Sequence, residues 1–552
     1  MSRAMDRQIL RLWCELAPAS AYTIGLNEYS GRLFIPSEQN IRGALHNVRA
    51  LRNEAANELQ AKVLDGMEAV LEFDEPQPVL DDILNAIFNY LLKEKSKENH
   101  LTELISSASP VLDAFSDRFS SRRIPVAVKA LTLYRLKGLL GILDAVRGAS
   151  NNRRLWKACD MLEAKTRKQL RVFKLEGFGK GTFEEVELVF KKFGSDMGRQ
   201  NFYPIALKKA FDYSETPEIL EKKGLAWLEE ELPKYRRVLN TLANIYGCDA
   251  STQTVANKIA QRGRIDPKNL VKTSKSIRRV LQNFVDHDVV RINRSYDTEI
   301  IETPSYLTQI LPTAYVVFLD TFQKPYQRFL ITADRRRDPV KSIGQLIMLI
   351  VHEEYGHCVH HSNSAHHFGG NPSKLELIYS SHQAPITEGI SFNREMEFLE
   401  AAKKLEGKKN LTRDEKAYVK LARKYGGLHL LNLEIEYEVR RSRLVRFLRV
   451  IGDVRVNTGS QGLLEFIDWA HRRTGLERSN IYYQLFPAHE GMFPGYATTY
   501  AVVGNEIRSI EDSISNDRQR VLFSTYLTGI GYPPRSLYRR RLEEYAAKLR
   551  VS

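Results

Sequence analysis

Apolar residues recur three and four positions apart along most of this 552-residue chain, and that spacing limits its fold more than any other feature. The segment PVLDDILNAIFNYLLKEK, inside a long helical stretch over residues 50–145, shows it plainly, and residues 216–246 and 253–290 repeat it. Such spacing lines apolar side chains along one stripe of an α-helix. Period-two alternation is scarce, and RFLIT, Arg328 to Thr332, is the best case for a strand. The expectation is a mainly α protein: a large helical body with a deep central cleft and at most a small β element. A chain of this length with 43% hydrophobic residues can bury a large core. Proline-containing turns near Pro304 and Pro312 end the helical N-terminal half, dividing the chain into residues 1–295 and a metal-site region 296–552, or leaving one continuous domain.

Several classes are set aside. The best apolar run, Leu346 to Val351, is far short of the roughly 20 residues that cross a bilayer, so no membrane partner is expected. The first residues, MSRAMDRQILRLWCELAP, carry neither a long apolar core nor a small-residue cleavage site, which argues against a secretory signal. Cys14, Cys159, Cys248 and Cys358 are scattered and form no CxxC pair, as in a reducing, cytoplasmic setting. The formal net charge of +15 raises a nucleic-acid partner. However, the basic residues sit in mixed-charge helices such as Ala401 to Tyr425, without an interleaved aromatic pattern, so a solubilising surface is the expected reading.

The chemistry gathers in one place. Of 13 histidines, seven fall within residues 352–382: His352, His357, His360, His361, His366, His367 and His382. Imidazoles crowded beside carboxylates are what zinc or a similar divalent ion requires, whereas surface or packing histidines would have no reason to cluster. Asp338 can cap a helix here and Pro339 suits its first position. Ile343, Leu346, Ile347, Ile350 and Val351 then bury one face of a helix that runs into HEEYGH, His352 to His357.

In the familiar HExxH pattern two histidines four apart share a helical face, and the glutamate takes a proton from the water the metal activates. Here the two histidines are five apart, which separates them by about 140° on a regular helix. They converge only if the helix widens into a π-type turn or breaks, and Gly356 makes such a distortion accessible. Alternatively Glu353, His357 and His361, spaced by four, align on a regular helix, with His352 a neighbour. A third ligand comes from a later segment. Glu388, in ITEGISFNREMEFLE, is the candidate, and Glu395, two turns on, suits a carboxylate that orients a histidine. Cys358 faces away from His357 and reads as core.

These segments resemble a widespread family of proposed zinc metallopeptidases, long catalogued as a domain of unknown function, whose members carry HExxPGHH followed by an EGW segment. That family is similar to the helical gluzincins of the carboxypeptidase Taq type. The resemblance spans most of the chain: SAYTIGLNEYSGRL (Ser20 to Leu33), ETPSYLTQILPTAYV (Glu302 to Val316), HEEYGH, TEGISF, and FPGYATTYAVVGNEI (Phe493 to Ile507) match its segments in order. It implies that His352, His357 and Glu388 bind Zn²⁺, that Glu353 is the base, and that Tyr500 donates a hydrogen bond to the oxyanion. Tyr496, Arg508 and Tyr483 are weaker candidates for holding substrate.

The chain also departs from the family. The proline before the glycine is missing, Ile390 replaces the tryptophan, and VNTGSQG puts Asn457 and Gln461 where the family has aspartate and histidine. The expected function is zinc-dependent hydrolysis of amide bonds in short peptides. The alternative is an inactive relative that binds a peptide or a partner.

Overall fold

The computed structural model describes residues 2–93, 98–293, 296–304, 313–333, 340–368, 375–378 and 385–551. Helices carry most of them, and the sole sheet among the described residues has three strands. Eight helical elements frame the site: α1 (Pro76–Leu92), α2 (Pro217–Tyr246), α3 (Leu270–Asp288), α4 (residues 343–368), α5 (Pro385–Lys404), α6 (Leu428–Thr458), α7 (Tyr496–Glu511) and α8 (Asp517–Gly529).

The longest helices, α2 and α6, have 30 and 31 residues and pack along one another. Gly224 permits the contact, because a Cβ there would lie 2.9 Å from Ile451. Around this pair forms a core that draws Leu131, Val186 and Leu228 from the first half of the chain together with Tyr437, Leu448 and Ile451 from the second. The segments on either side of residue 295 therefore share buried apolar surface, the main stabilising term in a fold of this size.

The strands β1 (Thr298–Glu302), β2 (Ala314–Leu319) and β3 (Tyr326–Ile331) lie in the order β1-β3-β2; β3 runs parallel to β1 and antiparallel to β2. Successive side chains point to opposite faces. Val316, Phe329 and Ile331 accordingly join a cluster with Leu281 of α3 and Leu346 and Ile350 of α4, while Val317, Leu319 and Leu330 join Ile83 and Ile87 of α1. The sheet is a wedge that ties the N-terminal helices to the helix carrying the histidines. β3 falls on the expected RFLIT segment. β1 and β2 were not legible: β1 is five residues with only two apolar ones, and in β2 the successive buried Val316 and Val317 break the alternation.

α4 starts later than expected. Asp338 and Pro339 lie outside the described residues, and so does Pro312. The cap is Ser342, whose hydroxyl accepts from the Gln345 amide at 3.1 Å before the helix opens at Ile343. Among the described residues no helix is long and apolar enough to cross a membrane.

Candidate metal centre

The α4 helix is regular over Ile343–Ile350, widens to a π-helix over Val351–Cys358, and becomes regular again over Val359–Phe368. A π turn brings residues five apart onto one face. The rings of His352 and His357 thus stand 5.0 Å apart, nearly perpendicular at 88°. Gly356 contributes differently from the expectation. It is not among the residues with positive φ, so the turn does not draw on glycine's special backbone freedom. Its role is to be thin: a Cβ would lie 2.3 Å from the Ser391 hydroxyl and 2.7 Å from the Ser391 Cα. Its absence lets α5 lie directly against the widened turn. Gly389 does the same toward α7, where a Cβ would meet Val503 at 2.3 Å.

That close approach delivers Glu388. One imidazole nitrogen from each of His352 and His357 and a Glu388 oxygen all lie within 4.8 Å of one another. Glu388 Oε2 stands 3.4 Å from His357 Nε2 and 3.8 Å from His352 Nε2, buried and without a hydrogen-bond partner. Its other oxygen accepts from the Tyr496 phenol at 2.5 Å. Burial alone would raise the Glu388 pKa; His357, His352 and Tyr496 overcome it and hold the carboxyl far below the usual range. For His357, burial pulls down, but Glu388 and Glu353 outweigh it and leave the imidazole above its ordinary value.

The far nitrogens fix which lone pairs face inward. Glu395 Oε1 accepts from His352 Nδ1 at 2.8 Å, and Arg446 donates to both Glu395 oxygens at 2.8 and 3.0 Å. For His357 the direction follows from a chain. The Gly531 carbonyl can only accept, so His360 Nε2 donates to it across 2.7 Å. Burial draws the His360 pKa to about 3, so its ring is neutral and Nδ1 is bare. The Thr387 hydroxyl at 3.2 Å donates to that nitrogen, and its oxygen in turn accepts from His357 Nδ1 at 3.3 Å. Both histidines thereby commit Nδ1 outward and turn Nε2 toward Glu388, the nitrogen that a metal would take, with the proton on His357 Nε2 displaced in exchange.

The two glutamates of HEEYGH part company. Glu354 is fully buried and accepts from Arg278 at 2.5 Å and Tyr296 at 2.8 Å, a core ion pair. Glu353 is half-buried and has no hydrogen bond or ion pair among the described residues, while its charge acts on His357 and on Tyr315. Tyr315 in turn meets Phe88 of α1 edge-on at 5.7 Å.

The alternative alignment through His361 is overturned. Its Nδ1 accepts from Gln327 at 2.9 Å and its Nε2 donates to Thr321 at 2.8 Å, while the ring stacks on Phe318 at 4.5 Å. It has no nitrogen left for a metal. His366 and His367 are exposed, and His382 lies outside the described residues. Cys358 is buried, as expected.

Tyr500 is beside the cluster on α7, its ring 5.9 Å from that of Tyr496 and its phenol 3.4 Å from His489 Nε2. Burial, reinforced by Glu388, pushes its pKa up, so it is held as a proton donor. Arg508 and Tyr483 are corrections to the expectation. Arg508 lies 12 residues beyond Tyr496, about 18 Å along the helix, and is tied to Glu400 at 2.6 Å and Asp512 at 2.9 Å. The Tyr483 phenol accepts from the Phe183 amide at 3.2 Å, with its ring against Tyr482.

Asn457 is buried in a separate polar cluster. It accepts from Arg199 at 3.2 Å and donates to Asp453 and Glu490 at 2.9 and 3.0 Å. Asp453 also receives the Gly495 amide at 3.2 Å, so the cluster braces the turn ahead of α7. Gln461 accepts from Arg455 at 3.0 Å. The sequence reading missed Thr387, His489, Arg446 and Arg449, and named His360 only as a member of the histidine cluster. The two arginines carried no signal, because nothing among the many charged residues of α6 marks them as its buried arginines.

The donor set suits zinc. Two imidazole nitrogens and one carboxylate oxygen, each supported from behind, match a three-ligand catalytic site, and the orphaned Glu388 oxygen is what a cation would satisfy. No protein-family model matches the chain, and no curated protein matches it. Among solved structures it is similar to a proposed lipoprotein from Colwellia psychrerythraea, with a TM-score of 0.68 at 12% identity, covering 99% of this chain and 100% of that one. It is also similar to a proposed lipoprotein of unknown function from Shewanella oneidensis, with a TM-score of 0.60 at 13% identity, covering 100% of both chains. These likenesses establish a shared helical fold.

Proposed function

We propose that this protein is a zinc-dependent peptidase that hydrolyses amide bonds in short peptides. The observation that carries the reading is the inward convergence of His352 Nε2, His357 Nε2 and Glu388 Oε2, with both outer imidazole nitrogens already committed. When bound, the ion supplies Lewis-acid polarisation of water and of the scissile carbonyl. Glu353, the one carboxylate here left without a partner, takes the proton from the attacking water and returns it to the departing nitrogen. The Tyr500 phenol donates to the oxygen on which charge develops. Tyr496 restrains Glu388 from the side opposite the histidines.

The resemblance of HEEYGH and TEGISF to the metallopeptidase motifs supports the same reading. The departures at Ile390, Asn457 and Gln461 leave room for the inactive, peptide-binding alternative. Metal analysis and turnover of a broad peptide library, in wild type and Glu353→Gln, separate the two. The expected result is equal zinc in both proteins and turnover in wild type alone. Zinc-loaded wild type that cleaves nothing refutes the enzyme and favours the binding protein. For location, a cytoplasmic protein remains our reading. The two similar structures are described as lipoproteins, and cell fractionation distinguishes a soluble pool from a membrane-anchored one.

A further inference from the structure

Arg449 is out of place for a structural arginine. It is 8% exposed and sits one turn beyond Arg446 on α6. The other buried arginines among the described residues each have a carboxylate: Arg446 has Glu395, Arg199 has Glu75 and Glu490, Arg394 has Glu397, and Arg535 has Glu215 and Glu506. Arg449 has none among the described residues. Its Nε donates to the Gln484 carbonyl at 3.1 Å and its Nη2 to the Gln484 side chain at 2.5 Å, which leaves Nη1 with no hydrogen-bond partner among the described residues. Its cation lies 5.0 Å from the centre of the Tyr500 ring. Burial draws its pKa down to about 10, and the distant carboxylate of Glu388 does not restore it.

An unpaired buried charge is costly, so a protein keeps one where something arrives to meet it. The charge of the surroundings says what. With a divalent ion in place, the ion, Arg446 and Arg449 bring four positive charges against the three carboxylates of Glu353, Glu388 and Glu395. His489, the nearest other titratable ring, is kept neutral by burial. The loaded site is left with one uncompensated positive charge, and it resides on Arg449.

We propose that Arg449 is the binding point for a substrate carboxylate, with Gln484 holding the guanidinium beside Tyr500 and leaving Nη1 to receive it. This rests on the peptidase reading above and adds the class of substrate: peptides bearing a carboxylate, terminal or side-chain, next to the bond cleaved. A planar guanidinium fits that group with paired hydrogen bonds.

The test is calorimetric binding to zinc-loaded Glu353→Gln protein, which keeps the site while silencing turnover. Three probes distinguish the sources: acetyl-Ala-Ala, its C-terminal amide, and acetyl-Ala-Glu amide. At least one acidic probe is expected to bind tenfold or more tightly than the neutral amide. Adding Arg449→Gln should erase that preference with zinc content unchanged, and Arg449→Lys should retain part of it. Equal binding of all three probes overturns the proposal, as does a preference that survives Arg449→Gln, which would place the carboxylate on the metal instead. If the Arg449 variants fail to fold, equal binding of the three probes to Glu353→Gln protein still overturns the proposal. The peptidase reading fails separately: a carboxylate preference without turnover by wild type keeps the binding point and removes the enzyme.

Discussion

Gly356→Ala puts one methyl group where α4 and α5 touch, and two effects of opposite sign compete. In a helix interior the change from glycine to alanine gains up to ~1 kcal/mol of stability. Against that, the new Cβ would lie 2.7 Å from both the Cα and the Cβ of Ser391. Reaching an ordinary contact distance requires the helices to part by about 0.7 Å, and the Cα among those atoms cannot rotate away. Overpacking of this kind costs ~1–3 kcal/mol, toward the upper end when backbone must move. The clash therefore wins, and the variant should be less stable by ~1–2 kcal/mol, a drop of a few degrees in melting temperature.

The same displacement carries Glu388 away from the imidazoles by several times the ~0.2 Å that metal–ligand distances tolerate. Zinc affinity should fall by roughly tenfold to a hundredfold. Calorimetric melting of metal-free protein and chelator competition for zinc read the two effects. Gly43→Ala is the control, since a Cβ there meets nothing within 4 Å and should stabilise. A Gly356→Ala protein that melts at or above wild type and holds zinc as tightly would refute the packing argument.

Thr387→Val removes the oxygen that accepts from His357 and donates to His360, and should weaken zinc about tenfold with little change in fold, checked by the same competition. His352→Ala should abolish stoichiometric zinc, whereas His361→Ala should leave the stoichiometry at one and lower only the melting temperature through its lost stack on Phe318; the reverse pattern would restore the regular-helix alignment. Zinc binding should release a proton near neutral pH, because Glu388 and Glu353 lift the His357 pKa against burial. Affinity therefore falls as pH drops through that raised value. In the metal-free protein the sign inverts: the His357–Glu388 pair contributes stability below the unfolded imidazole value near ~6.5, and that contribution is lost as pH rises through the folded value. Titrations in buffers of different ionisation enthalpy count the proton, and none released between pH 6 and 8 contradicts the assignment.

The helical character was legible because it is written locally, in spacings of three and four. His352, His357 and Glu388 were named together through the resemblance; the spacing alone left the regular-helix alignment with His361 open, and an interval of five converges only on a widened turn such as the one over Val351–Cys358. What sequence could not show was whatever depends on neighbours distant along the chain. Gly356 looked like a source of backbone freedom, but the reason for it stands 35 residues away at Ser391. Arg508 and Tyr483 were weaker candidates given alongside the family resemblance, yet Arg508 lies turns away along the helix, held by Glu400, and the Tyr483 phenol is taken up by the Phe183 amide. Arg449 was unreadable, because a missing partner leaves no mark in a sequence.

The Gly531 carbonyl that orients His360 adds a constraint on how the protein is made. Chains emerge from the ribosome N-terminus first, at ~5–20 residues per second. The nascent chain therefore holds both ligand histidines and Glu388 for many seconds before residue 531 exists to set the tautomer of His357. Until then the cluster is an unfinished chelator with freely rotating rings. On the zinc reading proposed above, tight metal loading waits for residue 531, and a chain stalled or clipped ahead of it should compete poorly for zinc despite carrying all three residues of the cluster.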